Sequence, residues 1–287
     1  MRTIDDYVYG HAQAKKILHV LIKRAQERHY KRCVLGEIDA PETLKCLLIG
    51  PSGTGKTHLI QSLKKIHKFP LLSLDATHFT PSGNSDGLNA KQLTKLIHDT
   101  AHQLTKRPEF HSPEGVLNQL IIFVDEFDKL GTSFDSSGNW NKHVQANFLT
   151  LIDNKEEFAG VSWIFAGAFT SLFEEKSSSI GFFPSVSLAS KEISDADIVK
   201  SGIIPEMLGR IPLIVQLDTF TEADYRRILV ERLLLNYNLL LESDAINDIV
   251  ATAYSSGQGI RSLTRQLEML AIDEEYERIT AENYCGR

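Results

Sequence analysis

The fold is decided by the eight residues at positions 50–57, GPSGTGKT, in a chain of 287 residues. They follow an apolar run of strand length at 44–49 and precede a helical pattern at 58–66. The stretch fits G-x-x-x-x-G-K-[ST], the motif of a loop that holds phosphate groups. Its strand–loop–helix context favours that interpretation over a glycine-rich turn that matches the motif by chance.

Each residue type in this motif has a physical role. Gly53 and Gly55 let the backbone turn so that its N–H groups point at phosphate oxygens. The helix that follows adds its N-terminal dipole, and Lys56 can reach the β- and γ-phosphates. The Thr57 hydroxyl can bind Mg²⁺. The sequence therefore predicts a nucleotide site with a bound magnesium ion.

A second apolar run, at 120–124, ends in two carboxylates, Asp125 and Glu126. Asp125 is predicted to orient the hydration shell of the Mg²⁺ ion. Glu126 is predicted to polarise the attacking water, because hydrolysis needs a positioned base near the γ-phosphate. Acidic residues at a strand end are common, but together with the phosphate loop they indicate nucleotide hydrolysis. A kinase is disfavoured because the sequence offers no evident acceptor site.

Apolar runs of strand length alternate with helical patterns as far as Leu217. Strands are predicted at 44–49, 71–74, 120–124, 161–165 and 213–217, and helices at 11–32, 58–66, 88–104 and 143–152. Such alternation indicates a parallel sheet covered by helices on both faces. Only helical patterns follow, beginning at Thr221, Ser243 and Arg261. We therefore predict an α/β domain over residues 1–217 and a small helical domain over 218–287.

Composition excludes several classes of protein. There are 31 Lys and Arg against 37 Asp and Glu, a net charge of −6, which disfavours a general nucleic-acid binder. No apolar run approaches the roughly 20 residues of a membrane span, and no signal peptide is apparent. Cys33, Cys46 and Cys285 are widely spaced and odd in number. They exclude a disulfide framework or paired-thiol zinc site and favour a reducing cytoplasm.

The helix predicted at 11–32 has a basic face opposite its apolar one. A solvent-exposed helix face is the ordinary explanation, and contact with nucleic acid is the weaker alternative. The basic residues are Lys15, Lys16, Lys23, Arg24, Arg28, Lys31 and Arg32.

The phosphate loop and the stretch DEFDK at 125–129 resemble AAA+ ATPases of the Clp/HslU group, in particular the ClpX family, over nearly the whole chain. The resemblance implies a P-loop fold with a five-stranded parallel sheet, a small helical lid domain, and ATP with Mg²⁺ as cofactors. It places Val8 and Tyr9 against the adenine. The residues implied to contact the nucleotide are Val8, Tyr9, Gly50, Pro51, Ser52, Gly53, Thr54, Gly55, Lys56, Thr57, His58 and Arg261.

The stretch GIIPEMLGRIP at 202–212 is similar to the arginine-finger segment of this family. The resemblance implies that Arg210 reaches the γ-phosphate bound on a neighbouring subunit, where it stabilises charge as the phosphate bond breaks. Cross-subunit catalysis implies a homo-oligomeric ring, expected to be a hexamer. The alternative is a surface arginine between two helices.

A Ser-rich loop contains the tripeptide Ile180, Gly181 and Phe182. Exposed apolar side chains in a loop usually mark an interface. The tripeptide is also similar, in type and location, to the ClpX loop that docks into clefts on the ClpP peptidase ring. The alternative is that Phe182 and its neighbour Phe183 fold back onto the core of this chain.

Some stretches depart from the ClpX pattern. The resemblance starts at the ATPase module, so we expect no N-terminal zinc-binding domain. Where the family has an aromatic pore loop, positions 82–87 carry small polar residues that would grip a polypeptide weakly. Trp140 stands at the second pore-loop position and either substitutes for it or packs in the interior. Gln258 replaces the nucleotide-sensing arginine, and Arg261 either takes over that role or is structural.

These features predict an ATP-hydrolysing, ring-forming unfoldase or remodeller of protein clients that delivers them to a ClpP-like peptidase. The alternative is a nucleotide-switched binding or regulatory protein that threads poorly, motivated by the polar stretch at 82–87 and by Gln258. Membrane partners are not expected, and the remodelling of nucleoprotein complexes rests only on the basic face of the first helix.

Overall fold

The computed structural model describes residues 3–80, 88–131, 139–174, 193–237 and 239–285. The chain forms two compact units. The first unit comprises Met1–Gly50 and Lys56–Leu217, and the second unit comprises Pro51–Gly55 and Asp218–Arg287.

The first unit is built on one parallel sheet. Its strands are β1 (Lys45–Ile49), β2 (Leu71–Asp75), β3 (Ile121–Asp125), β4 (Ser162–Gly167) and β5 (Leu213–Gln216). Their order is β2-β3-β4-β1-β5, and every neighbouring pair is parallel. The predicted fold class, a five-stranded parallel sheet with α/β connectivity, is confirmed, and the predicted strands agree within two residues at each end.

Helices precede, connect and follow these strands. In the first unit they are α1 (Ala12–His29), α2 (Lys56–His67), α3 (Ala90–Leu104), α4 (Pro113–Leu117), α5 (Asn139–Ile152), α6 (Lys155–Phe158), α7 (Thr170–Glu174), α8 (Asp195–Lys200) and α9 (Pro205–Leu208). A 3₁₀ turn at Phe127–Leu130 follows β3, and a π-helical turn at Tyr30–Leu35 follows α1. Within the described ranges, no helix is long and apolar enough to cross a bilayer.

Each face of the sheet has its own hydrophobic core. Successive side chains of a strand point to opposite faces. In β3, Ile122 and Val124 pack with side chains of α3 and α5, whereas Ile121 and Phe123 pack with those of α1 and α2. All four are 0–1% exposed. This two-sided burial explains why the strands read as continuous apolar runs rather than as alternating ones.

The second unit is helical and has a separate core. Its helices are α10 (Glu222–Ile228), α11 (Leu234–Tyr237), α12 (Ser243–Ser255) and α13 (Ile260–Cys285). Thr221 caps α10, as predicted: its side chain accepts from the Asp224 N–H, and the Asp224 carboxylate accepts from the Thr221 N–H. Leu263 and Leu267 of α13 are fully buried in this core.

The prediction of one solvent-exposed basic face on α1 is wrong for two of its residues. Arg28 is fully buried and donates hydrogen bonds to the carbonyl oxygens of Pro41, Asn118 and Gly160 at 2.9, 3.1 and 2.8 Å. It falls on the buried stripe because it follows Ala25 at the three-residue helical spacing.

Lys15 is the second exception, since its side chain is only 10% exposed. Its ammonium group binds Asp5 at 2.6 Å and the Val8 carbonyl oxygen at 2.7 Å. Lys15 therefore holds the N-terminal segment against α1 rather than facing solvent.

Candidate active site

The phosphate loop connects β1 to α2. Gly53 and Gly55 have φ angles of 78° and 91°, in the left-handed region that glycine adopts at no steric cost. Lys56 opens α2, and its Nζ donates to the Gly50 carbonyl oxygen at 2.5 Å. The first turn of α2 therefore directs its N-terminal dipole at the loop, an arrangement that attracts anions.

The structure brings the predicted magnesium ligands together. Thr57 Oγ1 donates to Asp125 Oδ2 at 2.6 Å, although the two residues are 68 positions apart. The contact is possible because β1 and β3 are parallel, so the segments that follow their carboxyl ends meet at one edge of the sheet. This edge carries Gly50, where the loop begins, together with the hydroxyl and the carboxylate.

Glu126 follows Asp125 in an unusual backbone conformation. Its φ and ψ angles are 56° and 29°, the left-handed region that is unfavourable for a residue with a Cβ atom. Its N–H donates to Asp125 Oδ1 at 2.9 Å, and its side chain is exposed. Such conformations persist where the surroundings hold them and concentrate at functional sites. Here the turn redirects the chain as soon as the strand ends.

Asp128 fixes the turn that follows the two carboxylates, a role that sequence reasoning missed. It is 8% exposed, and its Oδ1 accepts from the Ala168 N–H at 3.0 Å, just beyond β4. A Cβ atom added at Gly167 would lie 2.8 Å from that oxygen and 2.6 Å from the ring of Phe169. The end of β4 and the turn after Glu126 therefore touch so closely that only glycine fits at 167.

Arg210 lies at the opposite edge of the sheet from Thr57 and Asp125. It comes three residues before β5, whose first residue, Leu213, pairs with Cys46 near the start of β1. The loop begins only after the end of β1, about 13 Å further along at roughly 3.3 Å per residue. Arg210 is therefore not gathered with Thr57 and Asp125 in this chain.

The Arg210 guanidinium is paired with Asp153. Its Nε donates to both carboxylate oxygens at 2.7 and 2.9 Å. The hydrogen bond and the charge of Asp153 raise the pKa of the guanidinium above its ordinary value. The side chain is nevertheless 51% exposed, so it stays accessible to another molecule.

The N-terminal segment lies beside α2. His58 Nε2 is 3.2 Å from the Tyr7 carbonyl oxygen, which brings the predicted adenine-contacting residues close to the start of that helix. Val8 is 5% exposed and packs in the core shared by α1 and α2, whereas Tyr9 is half-buried.

Within the second unit, the loop residues contact the start of α13. The Ile260 N–H donates to the Gly53 carbonyl oxygen at 3.1 Å, and a Cβ atom at Gly259 would lie 2.6 Å from Gly53 Cα. Gln258 and Arg261 flank this contact and are both exposed. The assignment of a nucleotide-sensing role to Arg261 stays a prediction.

Two predicted features fall outside the described residues. The tripeptide Ile180, Gly181 and Phe182 lies in the stretch 175–192, and the polar stretch 82–87 lies in 81–87. Trp140 belongs to α5.

Comparison with known proteins establishes the family. A family model described as "ATPase family associated with various cellular activities (AAA)" matches residues 46–184, from β1 past both carboxylates. The chain is also 30% identical to the "ATP-dependent Clp protease ATP-binding subunit ClpX" of Treponema denticola, over 96% of this chain and 75% of that protein. The chain belongs to the AAA+ ATPases of the ClpX type. This ClpX-type protein binds nucleotide and is an ATPase, which confirms the predicted family and enzyme class.

Proposed function

We propose that the protein is an ATP-driven, ring-forming unfoldase or remodeller whose active sites are each completed by a neighbouring copy. The observation that supports this proposal is that Arg210 is separated from Thr57 and Asp125 within one chain. Thr57 and Asp125 meet at the carboxyl edge of the sheet, while Arg210 stands exposed at the amino edge.

At the carboxyl edge, the donor set fits magnesium. The Thr57 hydroxyl and the Asp125 carboxylate are hard oxygen ligands, and Mg²⁺ bound to nucleotide phosphates takes only one or two such ligands from protein. When bound, the ion neutralises charge on the phosphates. Lys56 binds the terminal phosphates, and Glu126 orients the attacking water and accepts its proton.

Arg210 supplies positive charge to a phosphate bound on the next subunit. An arginine stabilises the charge that develops as the phosphate bond breaks, and it acts only within hydrogen-bonding distance. Since Arg210 lies at the edge opposite Thr57 and Asp125, a neighbouring copy must present the phosphate. Repetition of this head-to-tail contact closes a ring, for which we propose six subunits.

Mixed rings test this arrangement directly. Glu126→Gln should bind ATP without turning it over, and Arg210→Ala should lose turnover while it keeps its own Glu126. We expect a mixture of the two inactive variants to regain ATPase activity, because an Arg210→Ala site then receives Arg210 from a Glu126→Gln neighbour. If the mixture stays as inactive as its components, Arg210 does not act across the subunit interface.

We further propose delivery of clients to a ClpP-like peptidase through residues 180–182. The similarity of this tripeptide to the ClpX docking loop supports it, as does the relative's name, which describes a subunit of the Clp protease. Phe182→Ala should abolish association with a ClpP ring and leave ATP turnover intact. Association of the variant at wild-type affinity would refute the docking role.

The second candidate is a nucleotide-switched regulatory protein with weak or no threading activity. The small polar side chains at 82–87 and the uncharged Gln258 favour it. Degradation of a folded, tagged reporter by the protein with ClpP distinguishes the candidates. ATP turnover without any ATP-dependent loss of the reporter would favour the regulator.

A further inference from the structure

The Arg210 side chain is anchored at one point only. Both oxygens of Asp153 accept from its Nε, at 2.7 and 2.9 Å. In the part of the chain that the structure describes, no residue accepts a hydrogen bond from its two terminal nitrogens. The guanidinium is therefore held through Nε, while its two terminal nitrogens, whose geometry matches that of a phosphate, remain available to donate hydrogen bonds.

Asp153 is itself rigidly placed. It follows the last residue of α5, its N–H donates to the Leu149 carbonyl oxygen at 2.9 Å, and its carbonyl oxygen accepts from Lys155 at 2.8 Å. The two residues before it, Leu151 and Ile152, are 4% and 6% exposed. The carboxylate therefore projects from a helix end that is fixed in the core.

Asp153 is also the acidic residue among three basic ones, Lys45, Lys155 and Arg210. Burial lowers the pKa of Lys45; Asp153 opposes that effect, and the charges of Arg210 and Lys155 add to it. Without the carboxylate, the three cations would repel one another, and Arg210 would be free to swing into solvent.

We propose that Asp153 is a positioning residue for Arg210: it holds Nε so that the two terminal nitrogens face a phosphate bound on the adjoining subunit. This inference rests on the proposed role of Arg210. An ion pair this exposed contributes little to folding stability, because solvent screens both charges. Its effect falls on turnover instead, since a flexible arginine must otherwise lose side-chain entropy each time it reaches the phosphate.

The test replaces Asp153 by Ala, Asn and Glu in the full chain. An arginine finger contributes about 10³-fold or more to turnover, so we expect Asp153→Ala to lower kcat by about tenfold to a hundredfold. KM for ATP should stay unchanged, because the nucleotide binds elsewhere. Asp153→Glu should restore part of kcat, and Asp153→Asn should restore less. Glu156→Ala, an exposed carboxylate three residues on, is the matched control.

A double-mutant cycle separates positioning from a purely structural role. In an Arg210→Ala background, removal of Asp153 should cost nothing further. An equal loss in both backgrounds, or a loss explained by altered ring size in light scattering, would refute the proposal. Wild-type turnover by Asp153→Ala, with turnover lost in Arg210→Ala, would refute the positioning role alone. Wild-type turnover by Arg210→Ala would refute the finger itself.

Discussion

Gln145 connects three segments of the first unit, and its replacement by leucine tests how the Arg210 segment is held. The side chain is fully buried in α5. Its Nε2 donates to the carbonyl oxygens of Leu130 and Gly202 at 2.9 and 3.0 Å, and its Oε1 accepts from the Ile204 N–H at 2.8 Å. Leu130 ends the turn after the carboxylates, and Gly202 and Ile204 lead to Arg210.

The expected cost follows from these contacts. A typical neutral intramolecular hydrogen bond contributes about 1 kcal/mol net, so the loss of three gives about 3 kcal/mol. Leucine has a volume close to that of glutamine, so no cavity term is added. The Leu130 carbonyl, whose hydrogen bond with Gln145 is buried, is left without a partner, and a buried unsatisfied group is unfavourable. The bonds to Gly202 and Ile204 are part-buried.

Urea unfolding followed by tryptophan fluorescence reports on the first unit, where Gln145 lies, because both tryptophans, Trp140 and Trp163, belong to it. With an m-value of about 3 kcal/mol/M, Gln145→Leu should lower the urea midpoint by about 1 M. ATP turnover should fall as well, since the segment before Arg210 loses two of its anchors.

Gln103→Leu is the matched control, because Gln103 is exposed on α3 and such surface changes stay within about 0.5 kcal/mol. A Gln145→Leu midpoint that equals that of the control would refute the reasoning. A midpoint lowered by the expected amount together with wild-type turnover would also refute it, because both effects are expected from the loss of the same three hydrogen bonds.

Two further predictions concern Arg28 and the cysteines. Arg28→Met should destabilise the first unit by about 3 kcal/mol in the same urea assay, because three carbonyl groups, two of them in buried hydrogen bonds, lose a charged donor. Arg24→Met on the exposed face should be neutral, and equal effects of the two substitutions would contradict this account. Burial raises the pKa of the Cys46 thiol to about 12 and also raises that of Cys33. In a Cys285→Ser background at pH 8, a thiol reagent should label Cys33 slowly and Cys46 only after unfolding. Labelling of Cys33 should accelerate as the pH rises, because more of the thiol is then ionised. Prompt labelling of Cys46 in the native protein would contradict this prediction.

The sheet and the phosphate loop could be predicted because their signals are local. An apolar run followed by glycines and a lysine carries its structure within a dozen residues, and β1 with the loop at 50–57 is the clear case. Asp125 could be predicted for the same reason, since it directly follows an apolar run. That Thr57 and Asp125 meet at one edge of the sheet then follows from the parallel order of the strands.

Long-range polar contacts could not be predicted in this way. Asp153 and Arg210 are 57 positions apart, and Gln145 and Gly202 are also 57 apart. No periodicity relates the members of either pair, and each residue type is ordinary on a surface. The pairings exist only because α5 packs beside the segment that leads into β5.

The prediction that Arg28 and Lys15 face solvent is wrong for a different reason. Both residues are charged but buried, and Arg28 continues the spacing of the buried apolar stripe. Long basic side chains can follow an apolar stripe if backbone carbonyls receive the charged end. Periodicity was the better guide to Arg28 than residue class.

The left-handed backbone at Glu126 sets thermal stability and chemistry against each other. Glycine, or to a lesser degree asparagine, would suit φ 56° better than glutamate does, and relief of such strain commonly stabilises a protein. A library of variants selected for heat resistance alone should therefore discard glutamate at this position, and one selected for ATP turnover should keep it. If Glu126 has the proposed role in hydrolysis, substitutions that relieve backbone strain at the carboxyl edge of the sheet should lower ATP turnover.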